Sequence, residues 1–116
     1  MITINIAAAY GPLCISTEDG ELLRERIAAA FASGETVELD FQEIDVLASP
    51  FLNAGIGSLL RDFKPAELNK RLVLHNLSPE HDDLIRRVIA NAREYFTNPK
   101  VRQIVDAINE KSPSRS

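Results

Sequence analysis

Short apolar runs alternate with longer segments of helical periodicity along this chain, and that alternation restricts the fold more than any other feature. Ile2, Ile4 and Ile6 alternate with Thr3 and Asn5, the two-residue period of a half-buried strand. Ala7 to Ala9 extend that strand until Tyr10-Gly11-Pro12 breaks it. Thr36 to Phe41 is a second strand, with Val37, Leu39 and Phe41 on one face. Arg71-Leu-Val-Leu-His75 is the third, apolar enough for a strand covered on both sides. Between them Leu23, Ile27, Ala30 and Phe31 recur at helical spacing. So do Phe51, Leu52, Gly55, Ile56, Leu59, Leu60 and Phe63, and later Leu84, Ile85, Val88, Ile89, Ala92, Tyr95 and Phe96. Two smaller apolar pieces remain. Leu13-Cys14-Ile15 reads as a short extended segment or a loop tucked against the core, and Ile44 with Val46-Leu47 as a connecting strand or the edge of the same sheet. The order strand, helix, strand, helix, strand, helix, helix predicts an α/β domain, a mainly parallel or mixed sheet with helices packed on it.

The helix ends carry their own signals. Ser16 precedes Thr17-Glu18-Asp19, so its hydroxyl is placed to accept from the Asp19 backbone N–H while acids sit at the positive end of the helix dipole. Gly34 is a C-terminal stop, and Gly20, costly by helix propensity, points to close packing rather than chemistry. Ser49-Pro50 is the strongest helix start in the chain, read as a capping hydroxyl with proline at the first helical position. Ser78-Pro79 repeats it, and Lys64-Pro65 closes the helix that Ser49 opens. Asn98-Pro99 starts a last helix with Val101, Ile104, Val105 and Ile108 as its stripe. Neither a linker nor a repeat interrupts the chain, so residues 1–111 are read as one domain and 112–116 as a loose tail.

At 116 residues and a formal charge of −4, the thirteen Lys and Arg are scattered among acids along the helices, which argues against a nucleic-acid binder. No apolar run approaches the ~20 residues that span a bilayer, and no basic region precedes the apolar N-terminus as in a signal peptide. A cytoplasmic protein is the expectation. With Cys14 the only cysteine, an internal disulfide and a multi-cysteine zinc site are ruled out.

Catalytic constellations are sparse. Neither a Gly-rich phosphate loop nor Gly-x-Ser-x-Gly occurs, and Gly55-Ile56-Gly57 lies inside a helical pattern, where its glycines serve close packing. His75 and His81 bracket the third strand and the next helix, and they would make an enzyme only by converging with an acid in a cleft. Asp40 and Asp45 read as turn or strand-end acids, and Cys14 as an inert thiol without an activating cation. No catalytic set, cofactor or metal site is expected. Two features stand apart. Ser49 presents a hydroxyl at a helix N-terminus, where a phosphate would meet free N–H groups and the dipole, although Pro50 removes one donor. Asn53, Ala54, Gly57 and Ser58 place small residues on the face opposite the buried stripe, allowing close approach of another protein.

The run Asp40-Phe-x-x-Ile44-x-Val46-Leu-Ala-Ser49-Pro-Phe51-Leu-Asn-Ala-Gly-Ile56-Gly-Ser-Leu-Leu60 resembles the core of STAS domains, the fold of bacterial anti-sigma factor antagonists. With Ser16 to Gly20 and Leu23-Arg24 as an early helix motif, it is most similar to a STAS-like family of small bacterial proteins of unestablished function. The resemblance covers roughly residues 2 to 90. In the antagonists the loop reads Asp-Ser-Ser/Thr-Gly, and its second hydroxyl is phosphorylated by a GHKL-type kinase that is also the anti-sigma factor. Here Ala48 takes the acid's place, Ser49 the first hydroxyl, Pro50 the phosphoacceptor and Phe51 the glycine, leaving Ser49 as the nearby candidate phosphosite.

The resemblance implies a non-enzymatic regulatory module that docks a protein partner, such as a GHKL-type ATPase, through Ala48, Ser49, Pro50, Asn53, Ala54, Gly57 and Ser58. The alternative is a small-ligand domain holding an anion or nucleotide at the Ser49 helix start.

Overall fold

In the computed structural model, residues 1–98 are described, together with residues 100, 103, 104 and 107. The elements run β1 (Ile2–Asn5), α1 (Ile6–Tyr10), β2 (Leu13–Cys14), α2 (Thr17–Ala32), β3 (Val37–Asp40), β4 (Val46–Leu47), α3 (Ser49–Gly55), a 3-10 helix (Gly57–Arg61), α4 (Pro65–Arg71), β5 (Leu72–His75) and α5 (Pro79–Thr97). The strands form two parallel sheets, β1-β3-β5 and β2-β4, so the α/β architecture with a mainly parallel sheet holds.

Register decides which side chains enter the core. Ile4, Leu39 and Leu74 lie side by side across the three strands, as do Ile2, Val37 and Leu72. Val37 and Leu39 are fully enclosed, in one core with Leu23, Ile27 and Phe31 of α2, Phe51 and Leu52 of α3, and Ile85 and Val88 of α5. The other face carries Thr3, Glu38 and Val73, then Asn5, Asp40 and His75. All six are half-buried or exposed. Among the described residues β5 is therefore covered on one face only, not both. Its apolar run misled because Val73 points away from the core beside the polar Thr3 and Glu38.

Other departures have local causes. Ala7 to Ala9 do not extend the first strand. The Asn5 side chain accepts from the Ala8 N–H at 2.9 Å, a cap that turns three strong helix formers into α1. The helix expected through Phe63 breaks at Ile56 (φ −115, ψ −49) and continues as the 3-10 turn. Lys64-Pro65 closes one helix but also opens α4, with proline in its first turn, an element the hydrophobic spacing did not reveal. The expected last-helix residues Val101, Val105 and Ile108, and the boundary at 111 with its tail, lie outside the described residues, while Ile104 is exposed.

Several sequence signals hold in detail. Ser16 and Ser78 cap α2 and α5, accepting from the Asp19 and His81 N–H groups at 3.1 and 3.2 Å. At the end of α2, Gly34 (φ +80) lets its own N–H reach the Phe31 carbonyl and the Glu35 N–H reach that of Ala30, the double closure of a glycine C-cap. Arg71 completes that end, donating Nη2 to the Phe31 and Glu35 carbonyls at 2.6 and 3.2 Å while its guanidinium lies 4.5 Å from the Phe31 ring centre. Among the described residues no helix is long and apolar enough to cross a membrane.

Candidate functional site

The loop from β4 into α3 is built on the small sheet. β4 pairs with β2, and the Ala48 N–H donates to the Cys14 carbonyl at 2.9 Å, which fixes where the chain can turn into a helix. Ala48 is the last extended residue (φ −111, ψ 153) and occupies the capping position, its carbonyl accepting from Leu52 N–H at 3.2 Å. Ser49 is therefore the first helical residue rather than the cap, and its hydroxyl makes no capping bond. Pro50 falls second, where its missing N–H has no intrahelical partner to lose. The same Ser-Pro pair at 78–79 does cap, because there the serine itself is extended (φ −66, ψ 158). Ser49 and Pro50 are exposed, and Ala48 is half-buried.

The small-residue face divides. Asn53 is exposed, and Ala54 and Ser58 are half-buried. Gly57 is buried, contrary to its expected place on an open face: a Cβ there would stand 3.4 Å from both Val88 Cγ1 and Ala92 Cβ of α5. Ala54 faces Gly20 of α2. These small side chains let α3 and the 3-10 helix seat between α2 and α5. The Ser58 hydroxyl donates back to the Ala54 carbonyl, a bond that accompanies bent helices and fits the break at Ile56.

What reaches solvent is a ridge, Pro50, Asn53 and Ser58, with an open hollow on either side. Towards α2 the walls are charged: Glu21, Arg24 and Glu25 with Arg61. Towards α5 the hollow is apolar, with Gly57 and Ala92 beside Tyr95 and Phe96, whose rings meet edge to face at 4.8 Å. The sequence reading placed Tyr95 and Phe96 in a core stripe. Phe96 is half-buried and does pack against the core, whereas Tyr95, also half-buried, is not part of that packing. Both sit in the last turn of α5, and two adjacent aromatics at a helix end were the available signal.

The other candidates resolve into structural roles. Asp40 Oδ1 accepts from the Asn76 side chain at 2.8 Å and from Gln42 N–H at 2.9 Å, and these bonds hold its carboxyl below the usual range. Asp40 thereby ties the loops after β3 and β5 together. His75 Nε2 lies 3.4 Å from Glu38 Oε1 on the open sheet face, while the His81 N–H is committed to the Ser78 cap. Among the described residues, no group of three or more His, Cys, Asp or Glu could hold a metal. Cys14 is buried and its thiol is pushed up to about 11, first by burial and then by the nearby Asp19 carboxylate. The thiolate is the reactive form, so a neutral-pH disulfide reagent should label Cys14 only as fast as the domain opens. Labelling rates with and without urea check this, and rapid reaction of the folded protein would contradict it.

The chain matches no curated protein and no solved structure. A family model described as "STAS-like domain of unknown function (DUF4325)" matches residues 19–82, from the first turn of α2 through the β4–α3 loop to the start of α5. Since that match spans more than half of the chain and all of the ridge, the chain belongs to this STAS-like family.

Proposed function

We propose that this protein is a non-enzymatic regulatory module that docks a protein partner, of the GHKL-type ATPase kind, through the β4–α3 loop and the ridge behind it. The observation that carries this reading is the exposed line Ser49, Pro50 and Asn53 on a helix anchored by its neighbours and flanked by two open hollows. Ala48, Ser49, Pro50, Asn53 and Ser58 are the contact residues; Ala54 and Gly57 act from beneath, by letting α3 and the 3-10 helix sit where they do. Ser49 is the candidate phosphosite, since its hydroxyl is exposed and free of a capping bond. The anion-site alternative is less supported: α3 has seven residues, its capping position is an alanine, and Pro50 removes a donor.

The test is calorimetric titration of the full chain against purified GHKL-type ATPases from the genome that encodes it. One of them should bind, and Asn53→Arg should weaken that binding by about tenfold or more, as expected for a bulky charge in an interface centre. Mass spectrometry after incubation with ATP should place any phosphate on Ser49. Binding that is indifferent to Asn53→Arg, or no binding across the set, would sink the reading.

A further inference from the structure

The outer face of the β2-β4 sheet is apolar, and no element among the described residues covers it. Parallel pairing sets Leu13 beside Val46, and Cys14 beside Leu47. Cys14 and Leu47 turn into the core, while Leu13, Val46 and, two residues past Leu13, Ile15 turn outward at 53%, 43% and 48% exposure. Parallel strands are ordinarily covered on both faces, and the usual cover is a helix. The larger sheet also has an open face, but there the one apolar side chain, Val73, stands among Thr3, Asn5, Glu38, Asp40 and His75, so that face is at home in water. Three branched apolar side chains in a row are not, and a patch of this kind on a rigid scaffold marks an interaction surface.

Charge indicates what covers it. Residues 10–16 and 41–48, the two strands with the loops leading into and out of them, contain Glu43 and Asp45 and no Lys or Arg. Asp45 directly precedes Val46, and its N–H bonds to the Pro12 carbonyl at 2.9 Å, which holds it at the start of the Leu13–Val46 pair. Glu43 is exposed and held at φ +65. The first fifty residues as a whole hold nine of the seventeen acids and only Arg24 and Arg26 of the thirteen bases. A second copy of the chain would set acid against acid across such a contact. We infer that the Leu13–Ile15–Val46 face docks a basic amphipathic helix of a partner protein, its apolar side on the three side chains and its Lys or Arg towards Glu43 and Asp45. The occupant supplies the helix layer that no element among the described residues gives the small sheet. This surface adjoins the β4–α3 loop but uses none of its residues, so it stands or falls separately from the docking reading above.

The probe is a fluorescein-labelled peptide of about five helical turns, Leu on one face and Lys on the other, titrated into the full-length protein and followed by anisotropy. Leu13→Ser with Val46→Ser should weaken binding by about tenfold or more, since two apolar contacts are lost. Glu43→Lys with Asp45→Lys should weaken it comparably, and raising salt should weaken binding to the wild type. The same four-unit charge change placed remotely, Asp83→Lys with Glu94→Lys on α5, should leave binding within about twofold. All six positions are exposed or on the rim, and circular dichroism confirms that each variant is folded. Equal weakening by the remote pair, indifference to the Leu13 and Val46 changes, or equal binding of a Glu-for-Lys peptide would each overturn the inference. So would a wild-type dimer in light scattering that the serine variant converts to monomer, because the occupant would then be a second copy.

Discussion

Gly20→Ala is expected to lower the melting temperature by about 10 °C, a net loss of about 2 kcal/mol for a domain of this size. A Cβ on Gly20 would land on the Phe51 carbonyl oxygen and 2.8 Å from Ala54 Cβ, with the Gly55 N–H 3.2 Å away. The first of these is backbone and cannot swing aside, so α2 and α3 must separate. Alanine's higher helix propensity offsets only about 1 kcal/mol of that cost. Gly55→Ala probes the same crossing from the other side and should cost less, because a Cβ there would meet the Leu23 side chain at 3.1 Å and the Gly20 carbonyl oxygen at 3.2 Å, tight contacts that a shift of a few tenths of an ångström relieves. Thermal scans of the two variants check the order. A Gly20→Ala protein as stable as the wild type would mean that the two helices are not held at this distance.

That crossing shows what the sequence could and could not disclose. A glycine early in a helix is costly on its own, so Gly20 advertised close packing, but nothing in a one-dimensional pattern named α3 as the neighbour. The caps were legible where the serine was already extended, at Ser16 and Ser78. At Ser49 the same dipeptide failed as a cap, because the Ala48 bond to Cys14 lets the chain turn one residue early. The parallel strands were readable from Val37, Leu39 and Leu74, whose register is local to the core. The outward turn of the half-buried Val73 was not, since it depends on no helix among the described residues lying on the far side of the sheet. The site followed the same rule. Asn53 was placed on the open face by helical phase alone, whereas Gly57, given the same face by the same phase, is buried against Val88 and Ala92 of α5, an element that begins more than twenty positions later. Phase within one helix is a sequence property, and which face another element will claim is not.

Phe51→Ala should cost about 3–5 kcal/mol, the largest effect expected of any single truncation in this domain. The Phe51 ring is fully enclosed and stands edge-on to Tyr10 at 5.9 Å, so it joins α3 to α1 as well as to the sheet. α3 is seven residues long and too short to persist by its own hydrogen bonds. Its place depends on Phe51 and Leu52 inside and on Gly20 against its backbone. Emptying the Phe51 site removes the first of these and leaves a cavity that the close α2–α3 crossing cannot collapse to fill. Urea denaturation should therefore show a lower midpoint with unchanged slope, and amide exchange should rise first across 49–55. Should the alanine variant fail to fold, Phe51→Leu keeps the test open with an expected loss of about 1–1.5 kcal/mol. A loss below about 1 kcal/mol for the alanine variant would show that α3 is held by something else. The functional consequence follows from position: Ser49, Pro50 and Asn53 ride on the segment Phe51 anchors, so a partner that docks on the ridge must meet a rigid α3. Any variant that frees this helix should weaken docking without touching a contact residue.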